Sequence, residues 1–277
     1  MRTFLSLLLI GPTLAAAAPV RDHHVVAELV PEQDAIVPGK TLTVCFNIKH
    51  DDKWHTYWKN PGIAGVPIKL DWDLPEGFEA GPIQWARPQR VKMAIYNTFG
   101  YEGEVTLLID IKTPANLEPG TEVDLKATSV WMMCADTCHP SSAKFSVTVP
   151  VATSSKPHSR GKRLADETRK TMPKENRRWD TSATLGEKTG TLTLTRREST
   201  GDVADPDKLY LFCSEGLIDS HPEQKVERLR PGVFRMTLPR AEFGPKNPTE
   251  IRGVLLSTTG TETEAISIRA KLSKSPK

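Results

Sequence analysis

Cysteine is scarce in this chain, four residues among 277, and aromatic residues make up 6%, so places where either type clusters stand out. Beyond the first eighteen residues no stretch is apolar enough to cross a bilayer, which takes about 20 residues. A nucleotide-binding glycine loop is missing, and so is any short-period repeat. The net charge of +3 is too small to argue for nucleic acid as a partner. Zinc would need more ligands than one close cysteine pair supplies, and the histidines elsewhere show no matching spacing. What remains is an ordinary globular composition, 38% hydrophobic, with 22 prolines that suit many turns.

The N-terminus reads as an export signal over residues 1–17. Arg2 supplies the positive charge, Phe4 to Ile10 the short apolar run, and Ala15 to Ala18 the small-residue cleavage region. No Cys follows that run, so lipid attachment there is not indicated. The expectation is a soluble, periplasmic or otherwise exported protein with no membrane span. The roughly 260 mature residues have room for one large or two modest domains.

From His24 to Val151 the chain is strand-like. Residues 25–30, 41–48, 104–111, 122–127 and 144–149 mostly alternate apolar and polar side chains, which gives a strand one buried and one wet face. Pro-Gly and Pro-Glu-Gly turn signals at 38–39, 61–62, 75–77 and 119–120 separate them. Short strands spaced in this way predict an all-β antiparallel β-sandwich over residues 18–153. A basic segment follows at 154–179. Between Lys156 and Arg178 nine Lys/Arg stand against three acids, a local charge of +6. Lys162 to Met172 is compatible with a helix, and Pro173 stops it. This reads as a solvated linker helix or as contact with an acidic partner. Strand signals return at 191–195, 209–213, 233–238 and 251–256, predicting a second, smaller β-sandwich domain over 180–272 with a frayed tail at 273–277.

The densest chemistry lies in Trp131-Met-Met-Cys134-Ala-Asp-Thr-Cys138-His139-Pro140. Fully extended, Cys134 and Cys138 would stand roughly 13 Å apart, beyond the disulfide reach of about 7 Å, so a bond between them requires a turn. Ala135 to Thr137 and Pro140 suit one. So small a closed loop makes a poor structural staple. Exposed small-loop disulfides more often serve redox exchange, although an inert bond pinning a hairpin end is the plain alternative. His139 and Asp136 are candidates for tuning a neighbouring thiol's pKa, or are simply an exposed ring and a turn residue. The spacing is one residue longer than the C-x-x-C-H haem motif, which makes that reading weak. Cys134, Cys138, His139 and Met133 are also soft ligands of the kind Cu(I) prefers.

A second cluster runs Trp54-His55-Thr56-Tyr57-Trp58, with Phe99 and Tyr101 further on in a segment that reads first as a turn. These aromatics, with Trp131, are candidates for a cap over the thiols or a partner surface; equally they could finish a sandwich core. Cys45 and Cys213 lie in strand-like segments and read as buried small hydrophobes.

The segments WHTYWKNPG (54–62), GVPIKLDWDLPEGF (65–78), PIQWARP (82–88), FGYEGEV (99–105) and WMMCADTCHP (131–140), in that order, resemble the N-terminal periplasmic region of DsbD and ScsB-type thiol:disulfide interchange proteins. RLADETRKTMP (163–173) and LYLFCSEGLID (209–219) look like the linker helix and second β-domain of the same larger family. The family motif commonly has tyrosine where this chain has Phe99. The resemblance implies an immunoglobulin-like sandwich whose Cys134/Cys138 pair takes electrons from a membrane relay and passes them to exported proteins. The family's transmembrane and thioredoxin-like parts are not legible here. The implied partners are therefore a separate membrane-embedded electron donor and exported thioredoxin-like or disulfide-containing proteins. The activity implied is of the protein-disulfide reductase type, with no metal or organic cofactor; the family analogy favours Cys138 over Cys134 as the attacking thiol, and the sequence leaves the choice between them open. Copper tolerance is associated with ScsB-type relatives, which keeps Cu(I) binding as a second reading. A non-catalytic partner-binding module with a structural disulfide is the third.

Overall fold

Alternating side chains become strands wherever a partner strand covers one face, and eleven do so in the first half of the chain. They are β1 (Val20–Asp22), β2 (Val25–Pro31), β3 (Thr41–His50), β4 (His55–Gly62), β5 (Lys69–Asp73), β6 (Glu79–Ala80), β7 (Gln89–Met93), β8 (Tyr96–Glu102), β9 (Glu104–Lys112), β10 (Glu122–Cys134) and β11 (Cys138–Pro150). This computed structural model describes residues 18–198 and 204–273; the segment 1–17, predicted to be an export signal, and the last four residues of the predicted tail lie outside them. One sheet runs β1-β2-β3-β9-β6. The other runs β11-β10-β4-β8-β7, with β5 alongside β10. The two sheets face each other across a core that includes Phe46, Trp58, Leu107, Trp131, Met133 and Phe145. All pairings in both sheets are antiparallel, the arrangement of an immunoglobulin-like sandwich. The Phe99–Tyr101 stretch, read from sequence as a turn, is the middle of β8, and the chain turns after it at Gly103.

The one α-helix among the described residues, α1 (Ser159–Thr171), starts about a turn earlier than the sequence suggests because the His158 side chain accepts the Gly161 N–H and caps it. It ends before Pro173, as expected. It is not a solvated linker. Gly161, Leu164, Ala165 and Thr168 are buried, and Leu164 and Ala165 pack on Val30, Cys45 and Leu108 on the outer face of the first sheet. Gly161 is required by proximity: a Cβ there would lie 1.9 Å from the Pro31 carbonyl oxygen. The acidic partner of the basic segment lies in the chain itself. Arg169 grips the buried Glu32 carboxylate with two bonds of 2.6 and 2.7 Å, and Arg160 pairs with Glu28.

Beyond the helix, β12 (Lys174–Glu175), β13 (Trp179–Leu185), β14 (Thr189–Arg196), β15 (Lys208–Cys213), β16 (Lys225–Arg230), β17 (Val233–Pro239), β18 (Glu250–Thr259) and β19 (Glu262–Lys271) form two further four-stranded sheets. Trp179, Leu194, Leu211, Phe234, Met236 and Leu255 are among the residues of their own core. The two sandwiches are not separated by a wet gap. Phe212, Val254 and Ala265 belong to the first sandwich's apolar cluster, with Phe212 lying 4.8 Å from the Phe99 ring and 6.3 Å from Trp58. Polar contacts frame this seam. Asn60 Nδ2 donates to the Cys213 carbonyl at 2.6 Å, Ser220 Oγ donates to Asn97 O at 2.7 Å, and Arg90 pairs with Glu223 at 2.7 Å.

Candidate functional site

Cys134 ends β10 and Cys138 begins β11, directly opposite each other in the antiparallel register. Ala135, Asp136 and Thr137 make the connection, with the Ala135 N–H donating to Thr137 O at 3.0 Å. The turn brings the two Cα atoms to 4.2 Å, and the sulfurs are joined as a disulfide. The two cysteines differ in access. Cys138 is exposed, as are Asp136 and Thr137, whereas Cys134 is 0% exposed.

That asymmetry follows from the strands around Cys134. Along β10 the odd-numbered residues through Trp131 and Met133 turn into the core, and the even-numbered ones turn outward. Cys134 belongs to the outward set and is buried all the same, because β4 lies alongside with His55 directly opposite it. His55 and Tyr57 share one face of β4, their rings 5.1 Å apart edge to face, while Trp58 on the other face joins the core. The loop after β4 seals Tyr57. Gly65, at φ +110, lets the backbone pass so close that a Cβ would fall 2.3 Å from the ring.

Next to Cys138 in the chain, His139 joins a group of stacked rings. His139 is half-buried, contacts Thr137 Oγ1 through Nε2 at 3.2 Å, stacks on His23 at 5.6 Å and lies 5.5 Å from Trp54. Trp54 in turn stacks on His24 at 3.9 Å, and His24 is held by Asp51 at 3.3 Å. His23 and His24 escaped the sequence reading. Their one signal is a histidine pair just before the first strong strand.

The aromatic residues singled out from the sequence therefore part company. Trp54 alone is partly exposed beside the disulfide. Trp58, Phe99, Tyr101 and Trp131 are buried in the core, with Tyr101 Oη donating to the Ala86 carbonyl at 2.9 Å, so none of the four offers a partner surface. His55 and Tyr57 are buried next to Cys134 rather than laid over the pair from outside. Met133 turns to the face opposite Cys134 and is buried in the core, so the Cu(I) set of Cys134, Cys138, His139 and Met133 is not brought together. Among the described residues no group of three or more His, Cys, Asp or Glu is placed to hold a metal ion.

The other two cysteines are free and buried. Burial, reinforced by the nearby Glu32 carboxylate, pushes the Cys45 thiol up to about 12, and burial raises Cys213 as well. Neither forms thiolate readily, so neither competes with the 134/138 pair.

Two buried imidazoles at this end of the sandwich stay neutral. Desolvation lowers His50 to about 4, despite its bond to the Gly103 carbonyl, and lowers His55 to about 4, with the charge on His50 adding to the effect. An unfolded histidine titrates near 6.5. Between pH 6.5 and 4 the unfolded chain therefore binds protons that the folded protein refuses, and stability falls as pH falls through that window. For His50 alone the drop from 6.5 to about 4 corresponds to roughly 3 kcal/mol. We expect urea midpoints to decline from pH 7 to pH 4.5, and His50→Gln to flatten that decline; an unchanged slope in the variant would refute the assignment.

An antiparallel β-sandwich with a cross-strand disulfide at the turn end of a hairpin defines a class of protein that presents one sulfur to solvent on a rigid frame. Residues 26–150 match the family described as thiol:disulfide interchange protein DsbD, N-terminal. Over that segment the chain is similar to the DsbD N-terminal domains. The crystal structure of the N-terminal periplasmic domain of ScsB from Proteus mirabilis is similar in fold, with a TM-score of 0.65 at 13% identity, over 91% of this chain and 95% of that one. The likeness thus extends beyond the first sandwich. Collagen adhesin (CNA) from S. aureus aligns with a TM-score of only 0.16, at 8% identity over 91% of this chain and 93% of that one. No curated protein matches.

Proposed function

We propose that this protein is an exported thiol–disulfide exchange module that works through Cys134 and Cys138. Reducing equivalents come from a separate membrane-embedded donor and go to exported thioredoxin-like or disulfide-containing proteins. The observation that carries this reading is the difference in access across one disulfide. An incoming thiolate can reach Cys138 Sγ, while Cys134 is sheltered as the leaving group and resolving thiol. The family match of residues 26–150 supports the chemistry. The small loop supports it too, since a bond that closes five residues gives little entropic stabilisation. Export is supported by the N-terminal sequence and by the absence, among the described residues, of any helix long and apolar enough to cross a membrane. In the reducing direction the Cys138 thiolate attacks a partner disulfide to form a mixed disulfide, and Cys134 then displaces the partner's sulfur and restores the internal bond.

The test is a thiol-trapping redox titration, with mass spectrometry locating the modified residues. A reversible Cys134–Cys138 couple at a potential well above about −300 mV is expected. A bond that resists reduction until the sandwich unfolds would mean a structural staple and defeat the proposal.

A further inference from the structure

His55 is the one imidazole of this region with nothing to bond. It is 0% exposed, yet neither Nδ1 nor Nε2 has a hydrogen-bond partner. The contrast with His50 is direct: its Nδ1 meets the Gly103 carbonyl at 2.8 Å and its Nε2 the Thr56 hydroxyl at 2.9 Å. Buried polar groups are almost always paired, and leaving one unpaired is costly. Such a group invites the question of what it pairs with in another state of the protein. The residue directly opposite His55 is Cys134. Side chains at directly opposed positions have Cβ atoms roughly 5 Å apart on one face of the sheet. In the disulfide, Cys134 Sγ has neither a proton to give nor a charge to stabilise. When the bond opens it acquires both in turn.

We propose that His55 is the hydrogen-bond partner of the Cys134 sulfur in the reduced protein, stabilising the thiolate as it leaves and setting the acidity of the thiol afterwards. This rests on the exchange reading above and assigns a role within it. A neutral imidazole carries one N–H and one free nitrogen, so it can donate to the thiolate or accept from the thiol. Burial keeps this ring neutral at working pH. The other titratable groups nearby are His50, which is neutral for the same reason, and the Tyr57 phenol, which burial raises to about 12 and whose hydroxyl is also unpaired. Glu102 on β8 lies across from His55 in the register and is exposed. No formal positive charge is buried with the sulfur, so a hydrogen bond from His55 is the available stabilisation.

The step balances as follows. A thiolate of a donor dithiol attacks Cys138 Sγ, the Cys134–Cys138 bond breaks, and a donor–Cys138 bond forms. The electron pair leaves on Cys134 Sγ, where the His55 N–H meets it. The donor's second thiolate then attacks the donor sulfur of the mixed disulfide, and Cys138 leaves as thiolate. The donor is oxidised to its disulfide, and the pair gains two electrons. Solvent passes the two protons lost by the donor thiols to Cys134 and Cys138.

Dithiothreitol serves as the donor in the test, with full-length protein and two variants. A charge-assisted hydrogen bond lost from the leaving group corresponds to roughly a tenfold change. His55→Phe, which keeps an aromatic ring but no donor, should slow reduction of the disulfide about tenfold at fixed pH. In a Cys138→Ser background it should raise the Cys134 thiol pKa by about one unit, read from the pH dependence of the thiolate's ultraviolet absorbance. His55→Gln, which keeps an N–H, should recover most of both losses. A folded His55→Phe protein with unchanged reduction rate and unchanged Cys134 pKa would overturn the inference and leave the exchange reading standing. If His55→Phe does not fold, the unmutated protein decides the matter by nitrogen NMR: the His55 ring signals must move between the oxidised and reduced states. Static signals would overturn the proposal. A disulfide that cannot be reduced in the folded protein would remove both this inference and the reading beneath it.

Discussion

Cys134→Ser accumulates a covalent mixed disulfide on Cys138, while Cys138→Ser loses exchange altogether: that is the expected outcome of the simplest pair of variants. The two sulfurs sit in one bond but not in one environment. Cys138 is at the solvent-facing start of β11, flanked by the exposed Asp136 and Thr137, whereas Cys134 is fully buried beneath β4. A partner can form its intermolecular bond only with the sulfur it can reach. Removing the buried thiol stops the reaction after that bond has formed, and removing the exposed one stops it before. Neither variant should unfold the sandwich. The loop closed by this disulfide is so short that the chain-entropy model assigns it about 2 kcal/mol, and the β10–β11 ladder of backbone bonds remains. Incubation with a small disulfide, followed by mass spectrometry of both variants under non-reducing conditions, separates the cases. Adduct on Cys134 in the Cys138→Ser protein, with full turnover, would reverse the assignment.

Phe212→Ala should destabilise the first sandwich although the residue belongs to β15 of the second. Phe212 is 1% exposed and packs edge to face on Phe99 at 4.8 Å and on Trp58 at 6.3 Å, in the same apolar cluster as Trp131. Truncating a buried phenylalanine costs about 3–5 kcal/mol through lost transfer energy and the cavity left behind. Here the cavity opens on the seam, so the loss should appear as uncoupling. A single thermal transition in the wild type is expected to become two in the variant, with the first sandwich melting earlier. Calorimetry on both proteins checks this. One undisturbed transition within about 0.5 kcal/mol of wild type would mean that the seam contributes nothing to stability. The seam also bears on the redox end. It is built on the Asn60–Gly62 end of β4, some 20 Å along the strand from His55. The second sandwich thus braces the strand that buries Cys134 while leaving the exposed sulfur uncovered.

Much of this architecture is legible in local pattern, and the misses have specific causes. β2, β3, β9 and the start of β10 are legible at nearly their true bounds because apolar and polar residues mostly alternate along them in sequence, although β3 and β9 are buried on both faces. β4 escaped because it does not alternate: His55, Thr56, Tyr57 and Trp58 are all buried, with one sheet face in the core and the other under the loop at Gly65. β8 reads as a turn because Gly100 and Gly103 flank Tyr101, yet Thr98 through Tyr101 are buried in succession within the strand. The helix was legible from its composition and from Pro173, but its docking was not. Glu28 and Glu32, which neutralise Arg160 and Arg169, lie more than a hundred residues earlier in the chain.

By itself the sequence determined the class of fold, the place of the close cysteine pair and the family that residues 26–150 match, because strand alternation and a five-residue cysteine turn are local properties. Only the tertiary structure decided which sulfur faces solvent, which aromatics are core and which histidine stands across from the buried thiol. Those are set by strand register between β4 and β10 and by what the later sandwich packs against. Register depends on every layer of the core at once, and no window of the chain contains it.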